Sequence, residues 1–385
     1  MRQSRFWSAA VPLLLAGQIC AQPEAPGGGP AGPPVISPEV HADRRVTVRL
    51  FAPQAREVRL HFEQGGYVLR KRADGVWEAT VGPLDPGSYR YGFSVDGANF
   101  TDPRNVEVER MQVLTRSIMH VPGAAFMDMR DVPYGTVSLV TYRSKVLNRI
   151  RRMHVYTPPG YEANTQRYPV LYLLHGANES DQSWSTVGRA GVIIDNLTAD
   201  GKAVPMIVVM PNGHADQTPP VIFGPVAPGA PPPLNVELTE IPKEFAIDIL
   251  PYIESHYRVI ADRAHRAIAG LSMGGTQTLN IAMAGLERFS AVGVFSSGVL
   301  GATVAEWETA HVAALNDAKT KRGLRVLWFR TGSDDFLLST TKSTVEMLRK
   351  HGFDVAFQET QGAHTWVNWR NYLNEFAPLL FRGGV

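Results

Sequence analysis

The sequence predicts an α/β protein: a mostly parallel sheet with helices on both faces, preceded by a small antiparallel β-sandwich. Three observations carry that prediction. Short alternating runs, punctuated by Gly, Pro and Asp, fill the stretch before residue 120. Beyond residue 132, unbroken apolar runs alternate with helical periods. One of those runs, Ala267-Ile268-Ala269, enters Gly270-Leu271-Ser272-Met273-Gly274, and a helix-forming stretch from Thr276 to Ala284 leaves it. With 385 residues, 44% hydrophobic and 19% charged, the chain has room for two domains and enough apolar surface to bury a core.

The first 21 residues read as a secretory signal. Arg2 and Arg5 make a basic start, Ala9 to Ala16 an apolar stretch, and Ala21 a small residue before the expected cut. That stretch is too short to remain as a membrane span. Gln18 and Ile19 are poor neighbours for lipid attachment at Cys20. Cleavage would remove the only cysteine, and with it any disulfide, thiol nucleophile or cysteine metal site. It would also remove Arg2 and Arg5, leaving basic and acidic residues equal at 36 each. That balance argues against nucleic acid and against an anionic membrane surface as the partner. The expectation is a secreted or periplasmic protein acting on something uncharged or weakly charged. Residues 22–35, rich in Pro and Gly, read as a linker.

The sandwich is expected over residues 36–119. Val46 to Leu50, Val58 to Phe62, Val76 to Val81 and Tyr89 to Val95 are its alternating runs, and Gly82 to Gly87 and Asp96-Gly97 are turns. Ser37-Pro38-Glu39-Val40, Arg49-Leu50-Phe51-Ala52-Pro53, Gly75-Val76-Trp77 and Gly87-Ser88-Tyr89-Arg90-Tyr91 carry a resemblance. They resemble the immunoglobulin-like N-terminal domain of glycogen-branching and isoamylase-type enzymes. Some relatives bind glycans through exposed aromatics, which Trp77, Tyr89 and Tyr91 could supply. The same rings would serve equally as sandwich core.

Residues 132–385 form the second expected domain. Val170 to Leu174, Met206 to Met210, Arg266 to Ala269, Ala291 to Phe295 and Leu324 to Phe329 read as strands covered on both faces. Thr136 to Ser144 and Ile150 to Tyr156 add an antiparallel edge. Helical periods fall at Val187 to Ala199, Glu240 to His256, Thr276 to Ala284 and Ser339 to His351.

A strand–turn–helix corner holds a serine on a strained turn, and a Cβ on its flanking glycines would clash across it. Ser272 is therefore the candidate nucleophile. A serine hydroxyl needs a base, and three histidines follow Ser272. His311 and His351 fall in predicted helices, whereas His364 lies in a Gly-rich loop after the short run Val355 to Gln358. His364 is the candidate base. The orienting acid should follow the preceding strand, in Gly332-Ser333-Asp334-Asp335. Three places beyond the glycine selects Asp335, with Asp334 in reserve as a turn cap. An oxyanion needs two backbone N–H donors. Met273, after the nucleophile, is one. Ala177, in Leu174-His175-Gly176-Ala177 after an early buried strand, is the other. His175 then serves nearby backbone instead of acting as a base.

These parts stand in the order serine, acid, histidine, as in α/β-hydrolases. Tyr156-Thr157-Pro158-Pro159-Gly160-Tyr161, Tyr168 to Gly176, Asp181 with Trp184, and Val208 to Gly213 extend the likeness. So do Pro251 to Ser255, Tyr257-Arg258-Val259, Asp334 to Leu337 and Gly362 to Trp366. The domain resembles the esterase-D-like group of α/β-hydrolases, which includes bacterial feruloyl esterases and acetyl-xylan esterases. A sandwich before this domain also occurs among those feruloyl esterases. The resemblance implies a serine esterase with a Ser272–His364–Asp335 triad and no metal or organic cofactor. The expected partner is an ester of a hydroxycinnamoylated or acetylated polysaccharide. The group also includes siderophore esterases and acyl transferases to trehalose.

The connection from Asn212 to Glu240 is long and Pro-rich, which suits a rim or lid. Trp184, Phe223, Phe336 and Trp366 are candidate aromatic walls for a flat acyl group. The competing readings are an esterase for siderophore or synthetic aromatic esters, and a non-catalytic glycan-binding protein.

Overall fold

The computed structural model describes residues 33–63, 65–215 and 240–382. The expected signal segment, residues 22–32 of the expected linker, Phe223 and most of the Pro-rich connection lie outside the described residues.

Alternation builds the sandwich as expected. Val46–Phe51 turns Val46, Val48 and Leu50 inward, and Val58–Phe62 buries Val58, Leu60 and Phe62 while Arg59 stays exposed. One sheet runs in the order Glu39–Val40, Val46–Phe51, Val76–Val81, Arg70–Lys71. The other runs Gly65–Val68, Val58–Phe62, Gly87–Val95, Thr115–Val121, Val108–Arg110, with Ala98–Phe100 also on Gly87–Val95. Every pairing is antiparallel. Trp77, Tyr89 and Tyr91 are 6%, 1% and 0% exposed, so they are core and not a glycan platform. Their polar ends are bonded inside: Trp77 Nε1 to Ala52 O, Tyr89 Oη to Asp85 O, and Tyr91 Oη to Asp102 Oδ2.

The second domain has one eight-stranded sheet: β1 (Thr136–Ser144), β2 (Arg149–Thr157), β3 (Val170–Leu174), β4 (Ile207–Pro211), β5 (Arg266–Leu271), β6 (Ala291–Phe295), β7 (Val326–Gly332) and β8 (Ala356–Thr360). Their order is β1-β2-β4-β3-β5-β6-β7-β8. The β1–β2 and β2–β4 pairings are antiparallel and the rest parallel. Strands β3 to β6 are buried at every position, which is why they read as unbroken apolar runs; edge strand β8 is largely exposed. Side chains alternate between two cores: Tyr172 packs with Phe245 and Leu279, its neighbour Leu173 with Ile193 and Leu373.

The helices are α1 (Ala190–Ala199), α2 (Glu240–Glu244) continuing through a π-helical turn (Phe245–Ile249) into α3 (Leu250–His256), α4 (Met273–Met283), α5 (Val304–Asn316), α6 (Ala318–Arg322), α7 (Leu338–Lys350) and α8 (Trp366–Phe376). Helix α4 starts three residues before the expected Thr276, because Met273, Gly274 and Gly275 are already helical.

Two features of this topology place the site. The chain steps from β3 outward to β4 and crosses back to β5, so strand order reverses beside β3 and β5. The parallel strands also end on one edge: Leu174 lies opposite Gly270, Leu271 opposite Phe295, and Gly332 opposite Thr360. Ligands of open α/β sheets bind outside the carboxyl ends of strands at such a reversal.

The sandwich is fastened to the segment that follows β3. Ser180 Oγ donates to Arg110 O (2.6 Å), Arg110 N to Gln182 Oε1 (2.9 Å), and Gln112 N to Asn178 O (3.2 Å). From the other side, Arg370 of α8 donates from Nη1 to Ser88 O and Val187 O, both at 2.9 Å.

Candidate active site

Ser272 stands where β5 turns into α4. Its backbone has φ 52° and ψ −122°, a conformation non-glycine residues adopt only when their surroundings force it. The forcing contacts are short. A Cβ on Gly270 would lie 2.3 Å from Gly274 O, and one on Gly274 would lie 2.4 Å from His175 O. Both positions therefore admit only hydrogen, and the turn closes more tightly than any side chain would allow. Neighbouring strands hold the rest: Ser272 N donates to Phe295 O (2.9 Å) and Ser297 Oγ to Ser272 O (2.5 Å).

His364 reaches this serine from the loop after β8. Its Nε2 is 3.0 Å from Ser272 Oγ, and its Nδ1 is 3.0 Å from both Asp335 carboxylate oxygens. An ionised carboxylate can only accept, so Nδ1 carries the proton and Nε2 accepts from the serine hydroxyl. The ring packs against Phe336, 4.4 Å away between centroids, and stands perpendicular to Trp369 at 5.0 Å.

Of the two aspartates after β7, the structure brings Asp335 to the histidine. Asp335 is 4% exposed and also accepts from Leu337 N (2.9 Å). Burial pushes its carboxyl up, but the His364 and Leu337 hydrogen bonds outweigh this and hold it below the ordinary 3.8. The Asp334 side chain is exposed, and its backbone N–H donates to Gly362 O (3.0 Å), bracing the histidine loop.

The segment after β3 lies against the serine: a Cβ on Gly176 would be 3.3 Å from Ser272 Cβ. His175 is 1% exposed and wholly engaged with backbone, Nδ1 donating to Gly176 O (2.8 Å) and Nε2 accepting from Gly213 N (2.9 Å). Burial depresses its basicity, which keeps it neutral and out of proton transfer. Gly176 N is also committed, to Glu179 Oε2 (3.0 Å). The next amide is Ala177. Met273 N lies in the first turn of α4, where N–H groups have no intrahelical acceptor and the helix favours negative charge.

The expected aromatic walls fare differently. Trp184 is corrected: it is 1% exposed, its Nε1 donates to Leu174 O (3.0 Å), and it packs edge-on against Phe295 and Trp366. A fully enclosed ring cannot line an open pocket. Trp366 is 2% exposed with its Nε1 bonded to Glu179 Oε1 (2.9 Å), so only part of its ring reaches a cavity wall. Phe336 is 66% exposed beside His364.

A cavity of about 370 Å³ opens beside His364, and the sandwich supplies one side of it through His61, Phe62, Met111, Leu114 and Arg116. Sequence reasoning missed this contribution, and it missed Trp369, which also lines the cavity. Among the described residues no cluster of three or more His, Cys, Asp or Glu could hold a metal, and no helix is long and apolar enough to cross a membrane.

Residues 144–380 match the Esterase family model. The chain belongs to the Esterase family. Residues 36–110 of this Esterase-family chain match carbohydrate-binding module 48, the isoamylase N-terminal domain. The Esterase-family chain is 31% identical over 357 residues to an endo-1,4-beta-xylanase/feruloyl esterase of Xylanibacter ruminicola, covering 90% of the chain and 46% of that protein. The chain thus spans about half the length of that relative. Among solved structures, a ferulic acid esterase shares 31% identity with a TM-score of 0.54, over 65% of this chain and 99% of the other. Enterochelin esterase of Shigella flexneri shares the fold, at 16% identity and a TM-score of 0.61, over 88% and 92% of the two chains.

Proposed function

We propose that this protein is a serine carboxylic-ester hydrolase, acting on feruloyl or acetyl esters of plant cell-wall polysaccharides. The observation that carries the chemistry is the line of hydrogen bonds from Ser272 Oγ through His364 to Asp335. Ser272 Oγ passes its proton to His364 Nε2 as it bonds to the ester carbon, and the carbonyl π electrons move onto oxygen. The amides of Ala177 and Met273 receive that oxyanion. Collapse breaks the bond to the alcohol oxygen, which takes the proton from His364. Water then adds to the acyl-enzyme with His364 again as base, releasing the acid and restoring Ser272. Asp335 orients the imidazole and stabilises its charged form.

The Xylanibacter relative and the ferulic acid esterase support the feruloyl choice. Phe336 and the cavity beside His364 suit a flat aromatic acid bearing a sugar. Export through residues 1–21 belongs to the same reading, and the N-terminal sequence of protein recovered outside the cytoplasm tests it. Labelling by a fluorophosphonate, lost in Ser272→Ala, tests the nucleophile. Turnover of methyl ferulate, acetylated xylan and a catecholate trilactone tests the substrate. Preference for the trilactone would replace the cell-wall reading, and no turnover of any ester would overturn it.

A further inference from the structure

We propose that Glu179, held by Arg90 of the sandwich, is a positioning residue for the oxyanion-binding loop, so that the sandwich is part of the catalytic apparatus. The inference rests on the serine-esterase reading. Glu179 is 5% exposed, and its two oxygens tie three pieces together. Oε2 accepts from Gly176 N (3.0 Å), immediately before Ala177. Oε1 accepts from Trp366 Nε1 (2.9 Å), two residues beyond His364, and from Arg90 Nη1 (3.0 Å). A single carboxylate thus links the loop that would bind the oxyanion to the loop that carries the base.

A buried carboxylate stays charged only when a cation offsets its lost hydration. Arg90 is that cation, reaching across from the sandwich strand Gly87–Val95. Burial alone would lower its basicity, but Glu179 and Glu109 more than reverse this and keep it charged. Its fork is shared: Nε and Nη2 hold Glu109 at 3.0 and 2.6 Å, and Nη1 holds Glu179. Its guanidinium also lies 5.4 Å from the centre of the Trp366 ring. Glu109 stands one step further from the reacting groups: besides Arg90 it accepts from Ser183 Oγ (2.5 Å), beyond Glu179 in the segment after β3. The two carboxylates therefore separate the two things the arginine does. Glu109 fastens the sandwich, whereas Glu179 sets the amide beside the reacting carbon.

Glutamine in place of Glu179 keeps the size but offers one acceptor oxygen where three N–H donors converge, and turns its own N–H₂ toward one of them. The Gly176–Ala177 segment then relaxes. The test compares purified Glu179→Gln, Arg90→Met and Glu109→Gln on p-nitrophenyl acetate, with the inhibition constant of an aryl trifluoromethyl ketone, whose adduct with serine places an oxyanion in the loop. Expected for E179Q and R90M is a kcat lower on the order of 10²-fold with KM little changed, and ketone binding weakened in proportion. E109Q disturbs a buried site of its own but leaves Nη1 of Arg90 on Glu179, so its loss should be smaller than that of E179Q by about tenfold on both measures. Equal losses in E109Q and E179Q, or wild-type ketone binding in E179Q, would overturn the proposal. Should E179Q not fold, Trp366→Phe removes one of the three donors, and the same joint loss of kcat and ketone affinity is expected at a few-fold. Fluorophosphonate labelling of the wild type at Ser272 reads separately on the esterase mechanism, so failure of the two ideas is distinguishable.

Discussion

Ser272 and Ala177 would meet the same carbonyl group, yet their backbones are held from different distances along the chain. The serine turn is shaped by Gly270 and Gly274, within two residues of it, and by the adjoining strand β6. The segment after β3 is fixed by Glu179 and, through it, by an arginine 89 positions earlier in another domain. The first arrangement is steric and works through absent side chains. The second is electrostatic and works through a buried pair. Close backbone packing, including Gly274 on His175 O, shapes the nucleophile; an imported charge makes a loop whose geometry depends on how the sandwich sits.

The largest expected effect breaks the serine side of this comparison. Ser272→Ala should lower kcat on p-nitrophenyl acetate on the order of 10⁶-fold, with thermal unfolding hardly changed. Next comes the acid, which belongs to neither arrangement. Asp335→Asn should cost about 10⁴-fold in kcat by favouring the wrong imidazole tautomer, and Asp334→Asn no more than about threefold. The same pair carries a stability signature. Asp335 has its carboxyl depressed in the folded state, so its contribution is present above the unfolded value of 3.8 and lost as pH falls through the lower folded value. The stability gap between wild type and Asp335→Asn, read by denaturant titration, should therefore be widest at neutral pH and close in acid.

Gly274→Ala tests whether the turn is steric. Its Cβ would meet His175 O at 2.4 Å, so unfolding free energy should fall by about 3 kcal/mol, by the overpacking cost of an inserted methyl with no room to relax. A loss below about 1 kcal/mol would show that the loop after β3 yields, and the two regions would then differ less than proposed. The smallest effect has the opposite sign. Ser272→Gly removes the penalty of φ 52° and should raise stability by about 1 kcal/mol while abolishing activity. Stability unchanged or lowered in that variant would mean the serine conformation is not strained.

Much of the fold was legible because burial on both faces leaves a plain trace. Thr136–Ser144, Val170–Leu174 and Ala291–Phe295 match their expected bounds. Alternation located the sandwich strands equally well. The expected Ser272, His364 and Asp335 meet at hydrogen-bond distance because parallel strands put all their carboxyl ends on one edge. Trp184 was misread because an indole in a loop can face a pocket or a core, and only the rings of Phe295 and Trp366 around it decide. Helix α5 carries a capping box, Thr303 with Glu306, a local signal that would have marked its start.

What the sequence determined by itself was the type and order of the strands and helices around the site and the residues able to do acyl chemistry. Both follow from short-range periodicity and from the few residue types that a strained turn or a proton relay admits. Tertiary structure set the Asp335 carboxylate, which spacing had already favoured over Asp334, against His364; it alone buried the sandwich aromatics and set Arg90 against Glu179. Those outcomes depend on which surfaces face one another, and residues far apart in the chain carry no local mark of the charge or ring they will meet.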